Sequence, residues 1–189
     1  MGRLRQVVAT VTTVAVVGLS AACGGDNPAP STAQSASPAS PSSSASTEPS
    51  APDIPRAATQ PGRRGAAAFV RHWVDVLNYA GQTGDTRGLR RISTTDCVRC
   101  AALWEGIDQV YAADGEITGG GWQVLSTKEY GPTQGRVFVD ATIRSQEQTL
   151  TPSEGATPTE FPGVEKRLRA FVLRPIADGW KVAELDPTA

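Results

Sequence analysis

The sequence predicts an α+β domain in which N-terminal helices pack on a curved, cone-like antiparallel sheet. Two shifts of pattern predict it. Nearly all the Trp, Tyr, Phe and Leu of the 189 residues lie after Gly65, and the first third has too few large apolar side chains to build a core. Beyond that point apolar residues recur at helical spacing as far as Tyr111, then at every second position from Trp122 onward. Helices first and strands afterwards give segregated layers, not the alternating units of a parallel sheet.

Ala66, Phe69, Val70, Trp73, Val76, Leu77 and Ala80 recur at steps of three and four, the apolar stripe of one long helix that Gly81 is expected to end. Residues 86–92 read as a second, short helix with Leu89 and Ile92 turned inward. Ser93-Thr94-Thr95-Asp96 supplies capping oxygens for a third, along which Cys97, Cys100, Ala101, Trp104, Ile107 and Tyr111 form a stripe, with a stop at Asp114-Gly115. Trp122 and Val124 then open a strand. Val137, Val139, Ala141 and Ile143 alternate in a second, and Leu168, Ala170 and Val172 are read as the inward positions of a third. Asp178-Gly179 turns the chain into a last strand over residues 180–185. Residues 152–163, rich in Pro and Gly, are expected to be a long hairpin loop.

Three segments precede or contain this pattern. Arg3 and Arg5, an uncharged and mostly apolar run over residues 7–19, and the small residues Ser20-Ala21-Ala22 read as a signal peptide over residues 1–22. The run is shorter than the roughly 20 apolar residues a membrane span needs. Residues 23–64 are mostly Ser, Ala, Pro and Thr, which cannot bury enough surface to offset their ordering entropy, so they read as a disordered tether. Residues 65–187 form the single folded domain, about 120 residues and enough to bury a core unaided. Leu19-Ser20-Ala21-Ala22-Cys23-Gly24 resembles the lipobox of bacterial lipoproteins, with Ser20 where the motif has Leu. That resemblance implies a palmitate-class acylated N-terminus at Cys23, a protein exported and held by lipid at the outer face of the cell membrane.

Chemistry is sparse. A net charge of −1 speaks against a nucleic-acid partner, since counterion-release affinity needs a strongly basic face. Arg87, Arg90, Arg91 and Arg99 cluster, and the plainer reading is a solvated helix face. A structural zinc site wants four ligands, and beyond Cys97 and Cys100 the chain offers only Cys23, claimed by lipid, and His72, so no metal and no cofactor is expected. A redox pair is a second reading of the two cysteines; a disulfide suits an oxidising compartment and leaves the count even once Cys23 is acylated. His72 would serve as a general base at a pocket rim, and Asp75 or Asp108 as pocket acids, but no partner is fixed near any of them, and no catalytic residue is assigned. Asp85 belongs to turn and cap chemistry. Trp73, Trp104, Trp122 and Trp180 are candidate pocket-lining residues, with ordinary core as the alternative.

Asn78-Tyr79-Ala80, Thr83-Gly84-Asp85, Cys97-Val98-Arg99-Cys100 and Gly119-Gly120-Gly121-Trp122, in this order, resemble a family of uncharacterised actinobacterial lipoproteins. More distantly, the long first helix, the Gly-Asp turn and the closing Trp180-Lys181-Val182 strand look like the nuclear-transport-factor-two-like cone, shared by SnoaL-like and ketosteroid-isomerase-like enzymes and by domains that only bind. The first resemblance implies no activity and the second leaves it open. The expected function is a membrane-anchored, non-catalytic binding or accessory module that engages a small molecule, an envelope polymer or an envelope protein. An isomerase or cyclase using His72 or Asp75 is the competing class, and a thiol oxidoreductase with an exposed Cys97 is a third.

Overall fold

The computed structural model describes residues 49–186. Among them a 3₁₀ helix, Arg56–Thr59, leads into three α-helices, α1 (Gly62–Thr83), α2 (Arg87–Arg91) and α3 (Val98–Ala112). Seven strands follow: β1 (Glu116–Gly119), β2 (Trp122–Thr133), β3 (Arg136–Ser145), β4 (Gln148–Thr151), β5 (Thr159–Phe161), β6 (Val164–Ile176) and β7 (Gly179–Leu185). They form two antiparallel sheets, β2-β3-β6-β7 and β1-β4-β5. The class is α+β, as the pattern predicts, and the sheets do not close into a barrel.

The core lies between α1 and the inner face of the larger sheet. Phe69, Val70, Trp73 and Val74 of α1 are at most 1% exposed and meet Val139 and Ala141 of β3, Phe171 and Leu173 of β6 and Val182 of β7. Trp73 stands edge-on to Phe171 at 5.5 Å, and its indole N–H donates to the Ser93 hydroxyl at 2.9 Å. That bond satisfies both polar groups where water does not reach. The segment before α3 docks on the edge of the sheet, with Thr94 N–H donating to Val182 O and Val182 N–H to Ile92 O.

Several boundaries differ from the sequence reading. The tether end placed at Arg64 falls inside α1, and Ala58, further upstream, is fully buried. Trp180 fixes this stretch by donating its indole N–H to Gln60 O at 3.0 Å. Gly65 lets the two segments meet: a Cβ there would stand 1.7 Å from Gln60 O. Helix α1 runs through Gly81 and stops at Gly84, whose φ of +74° gives the left-handed cap and whose N–H donates to Ala80 O.

The third sheet segment also corrects an expectation. Leu168 is 62% exposed, while Phe171 and Leu173 are the core residues of β6, so the inward phase is one residue off from the predicted one. Residues 152–163 are not all loop, because β5 pairs with β4. The smaller sheet escaped notice because its strands are three or four residues long and rich in Thr, Gln and Glu.

Candidate functional site

A cavity of about 580 Å³ opens where the two sheets and the helices diverge. One wall is the C-terminal half of α1 with Leu77, Asn78, Gly81 and Gln82, and a second is α3 with Ala102, Leu103, Gly106 and Ile107. The remaining wall comes from the strand ends, with Ile117, Trp122, Gln146, Gln148, Leu150 and Arg167 among its residues. Apolar side chains dominate, amides stand at intervals, and the single charged residue of the lining is Arg167.

The junction between α1 and β2 is held by one side chain. Asn78 Nδ2 donates to Trp122 O at 2.9 Å and Asn78 Oδ1 accepts from Trp122 N–H at 2.8 Å, the double contact a neighbouring strand would otherwise make. Gly119, Gly120 and Gly121, with φ of +64°, +73° and +100°, carry the chain from β1 into that position. Trp122 is then covered on one face by the Arg169 guanidinium, 4.9 Å from the ring centre, and Arg169 is in turn paired with Asp186. Two of the sequence motifs, the one at Asn78 and the one at 119–122, therefore meet at the cavity wall.

Of the four candidate tryptophans, Trp122 lines the cavity and the others do not. Trp73 is fully buried in the core, Trp180 packs on the 3₁₀ segment, and Trp104 is 6% exposed under the Arg90 guanidinium. Their apolar spacing reports core burial, and for these three the pocket role is corrected.

Cys97 and Cys100 have bonded sulfurs at the start of α3, and both side chains are at most 1% exposed. Cys23 lies outside the described residues. Among the described residues no three His, Cys, Asp or Glu side chains gather as metal ligands would.

His72 sits apart from the cavity, 4% exposed, in a second depression lined also by Asp53, Tyr79, Asp85, Arg87 and Arg91. Burial lowers its pKa below the ordinary imidazole value, with Asp75 opposing weakly, and its Nδ1 has no hydrogen-bond partner. Asp85 is held at about 2 by its hydrogen bonds from Arg87. Asp75 is exposed, and Asp108 is engaged by Arg90 and by the Thr86 hydroxyl. The isomerase-type candidates are thus scattered.

The sequence reading missed Asn78's clamp, Arg167, and the two glycines of the walls. Gly81 and Gly106 lie inside helices, where glycine has no conformational task, and a Cβ on either would meet no atom within 4 Å. A glycine inside a helical pattern was the available signal.

An α+β domain with an apolar cavity at the meeting of helices and sheet is the class of protein these features define. The chain belongs to a family of unknown function, DUF6318, whose model matches residues 35–181. No curated protein matches it. Among solved structures, it is similar to the intermembrane space region of the chloroplast protein ARC6, at 13% identity over 67% of this chain and 95% of that one, with a TM-score of 0.48. It is also similar to Aln2 from a Streptomyces species, at 11% identity over 62% of this chain and 86% of that one, with a TM-score of 0.39. Likeness at this level says nothing of chemistry.

Proposed function

We propose that this domain is a non-catalytic binding module, exported and tethered through a lipid on Cys23, which takes a small molecule into the cavity beside Trp122. The cavity carries the reading. At about 580 Å³ it falls within the roughly 300–1,000 Å³ of small-molecule sites, and its apolar walls with a few amides have the composition such sites share. The signal-like N-terminus, Cys23 and the Ser/Ala/Pro-rich segment support export and anchoring. His72 and Asp75, on which an isomerase reading depends, are not in the lining, and the buried Cys97 and Cys100 do not present the exposed thiol an oxidoreductase would use.

The test is to export the protein behind a conventional secretion signal with Cys23→Ser, so that no lipid holds it, purify it without detergent and extract it with organic solvent. Wild type should release a small molecule that Gly106→Phe, which sets a ring on the cavity wall, does not. Equal recovery from both would remove the cavity as the site. Membrane attachment is checked separately. Cys23→Ala should leave the membrane fraction or accumulate unprocessed, and an intact mass for an unacylated wild-type protein beginning at Cys23 or later would refute the anchor.

A further inference from the structure

We propose that the cavity selects a compact amphipathic anion: an apolar body ending in one carboxylate-class group, bound by Arg167. The inference rests on the binding reading above and adds the chemistry of the ligand.

Strand register puts Arg167 on the cavity side. It pairs with Ile143 across β3 and β6, and paired residues share a sheet face; Ile143 is 2% exposed in the core. Phe171 and Leu173, on the same face of β6, point into the core. Arg167 continues their row past the end of the core, where the cavity replaces packed side chains.

Its neighbours are engaged and it is not. Arg144 pairs with Glu165, and Arg169 pairs with Asp186 while covering Trp122. Among the described residues Arg167 has no carboxylate within salt-bridge distance, and no Asp or Glu lines the cavity. An apolar molecule entering here strips water from one face of that guanidinium, and a neutral ligand returns nothing for it. A carboxylate returns a charge-assisted, bidentate hydrogen bond, whereas a cationic ligand meets repulsion with no counter-charge in the wall. The amides of Gln146 and Gln148 stand on the same side with further N–H donors.

Space for the apolar body is set aside in the walls. Gly81 and Gly106 are helical residues of the lining, and a Cβ added at either would meet no atom within 4 Å. Glycine inside a helix is destabilising relative to alanine, so local stability does not account for either one.

Three probes of equal chain length, decanoate, decanol and decyltrimethylammonium, separate charge from apolar size in titration calorimetry at pH 7.5 and low salt. Decanoate should bind about tenfold or more tighter than decanol, with the cation weakest. Arg167→Met should abolish the decanoate preference and leave decanol binding unchanged, and Arg167→Lys should restore part of it. Lys166→Met, one residue away on the opposite face of β6, should alter neither, which controls for net charge. Circular dichroism checks that each variant is folded. Equal binding of decanol and decanoate by wild type, or a preference that survives Arg167→Met, would overturn the anion inference while leaving the cavity intact. Failure of all three probes, or decanol binding undiminished in Gly106→Phe, would instead overturn the cavity reading beneath it.

Discussion

Replacing Gly106 with alanine should make the protein more stable. Gly106 lies mid-helix in α3, and a methyl group added there has no atom within 4 Å to strike. The gain then comes from the unfolded chain, which loses freedom when glycine is replaced, and amounts to about 0.5–1 kcal/mol. At about 4 °C per kcal/mol for a domain of this size, the thermal midpoint should rise by roughly 2–4 °C. Gly84→Ala is the control of opposite sign. Its φ is +74° and its Cβ would lie 2.6 Å from the Tyr111 ring, so loss of about 1 kcal/mol or more is expected. Differential scanning calorimetry of both variants beside wild type reads the two shifts. A lower midpoint for Gly106→Ala would mean that the position is packed, and the cavity drawn along α3 would be refuted with it.

Three further outcomes follow from the same structure. Asn78→Ala strands the N–H and C=O of Trp122 in a half-buried site, and urea unfolding should show a loss of about 1–3 kcal/mol; a loss under about 0.5 kcal/mol would mean that water replaces the clamp. His72 has a folded-state pKa below 6.5, so the unfolded chain binds the extra proton first: stability is unaffected above about pH 6.5 and declines as pH falls from there toward the lowered folded value. Urea midpoints for wild type and His72→Gln between pH 8 and 5 should diverge below pH 6.5, and parallel curves would show that the imidazole does not titrate against folding. For Cys97 and Cys100, the closed loop of four residues constrains the unfolded chain by only about 2 kcal/mol in the chain-entropy account, so the double alanine variant should stay folded at 25 °C. Two reactive thiols from this pair in protein purified without reductant would contradict the bonded sulfurs.

How far the sequence discloses this fold depends on how strongly each element is amphipathic. Helix α1 and strand β3 were legible because each sets buried and exposed residues apart at one period: Phe69, Val70 and Trp73 along the helix, Val137, Val139, Ala141 and Ile143 along the strand. Strands β1, β4 and β5 have no such contrast. Their residues are exposed or half-buried throughout, so they are set by pairing with one another, which a single-sequence pattern does not carry. The tryptophans illustrate the same limit for the site. A large aromatic at an apolar position has the same signature in a core as on a cavity wall, and only the fold separates Trp73 from Trp122.

Strand β6 shows why the site itself was hard to read. Its residues 167, 169, 171 and 173 share the inner face, but the first two are arginines and the last two are core side chains. Residues 168, 170 and 172 are all apolar, and that cleaner alternation pointed the prediction to the wrong face. Val172 is itself 2% exposed, so burial along the strand is not confined to one phase. The inner row changes character because its surroundings change: beside Phe171 and Leu173 it meets α1, and beside Arg167 it meets open volume. A polar pair interrupting an otherwise buried row marks the place where packing stops. Arg169 is accounted for by Asp186 and Trp122, which leaves Arg167 as the position where a ligand, not the fold, supplies the partner.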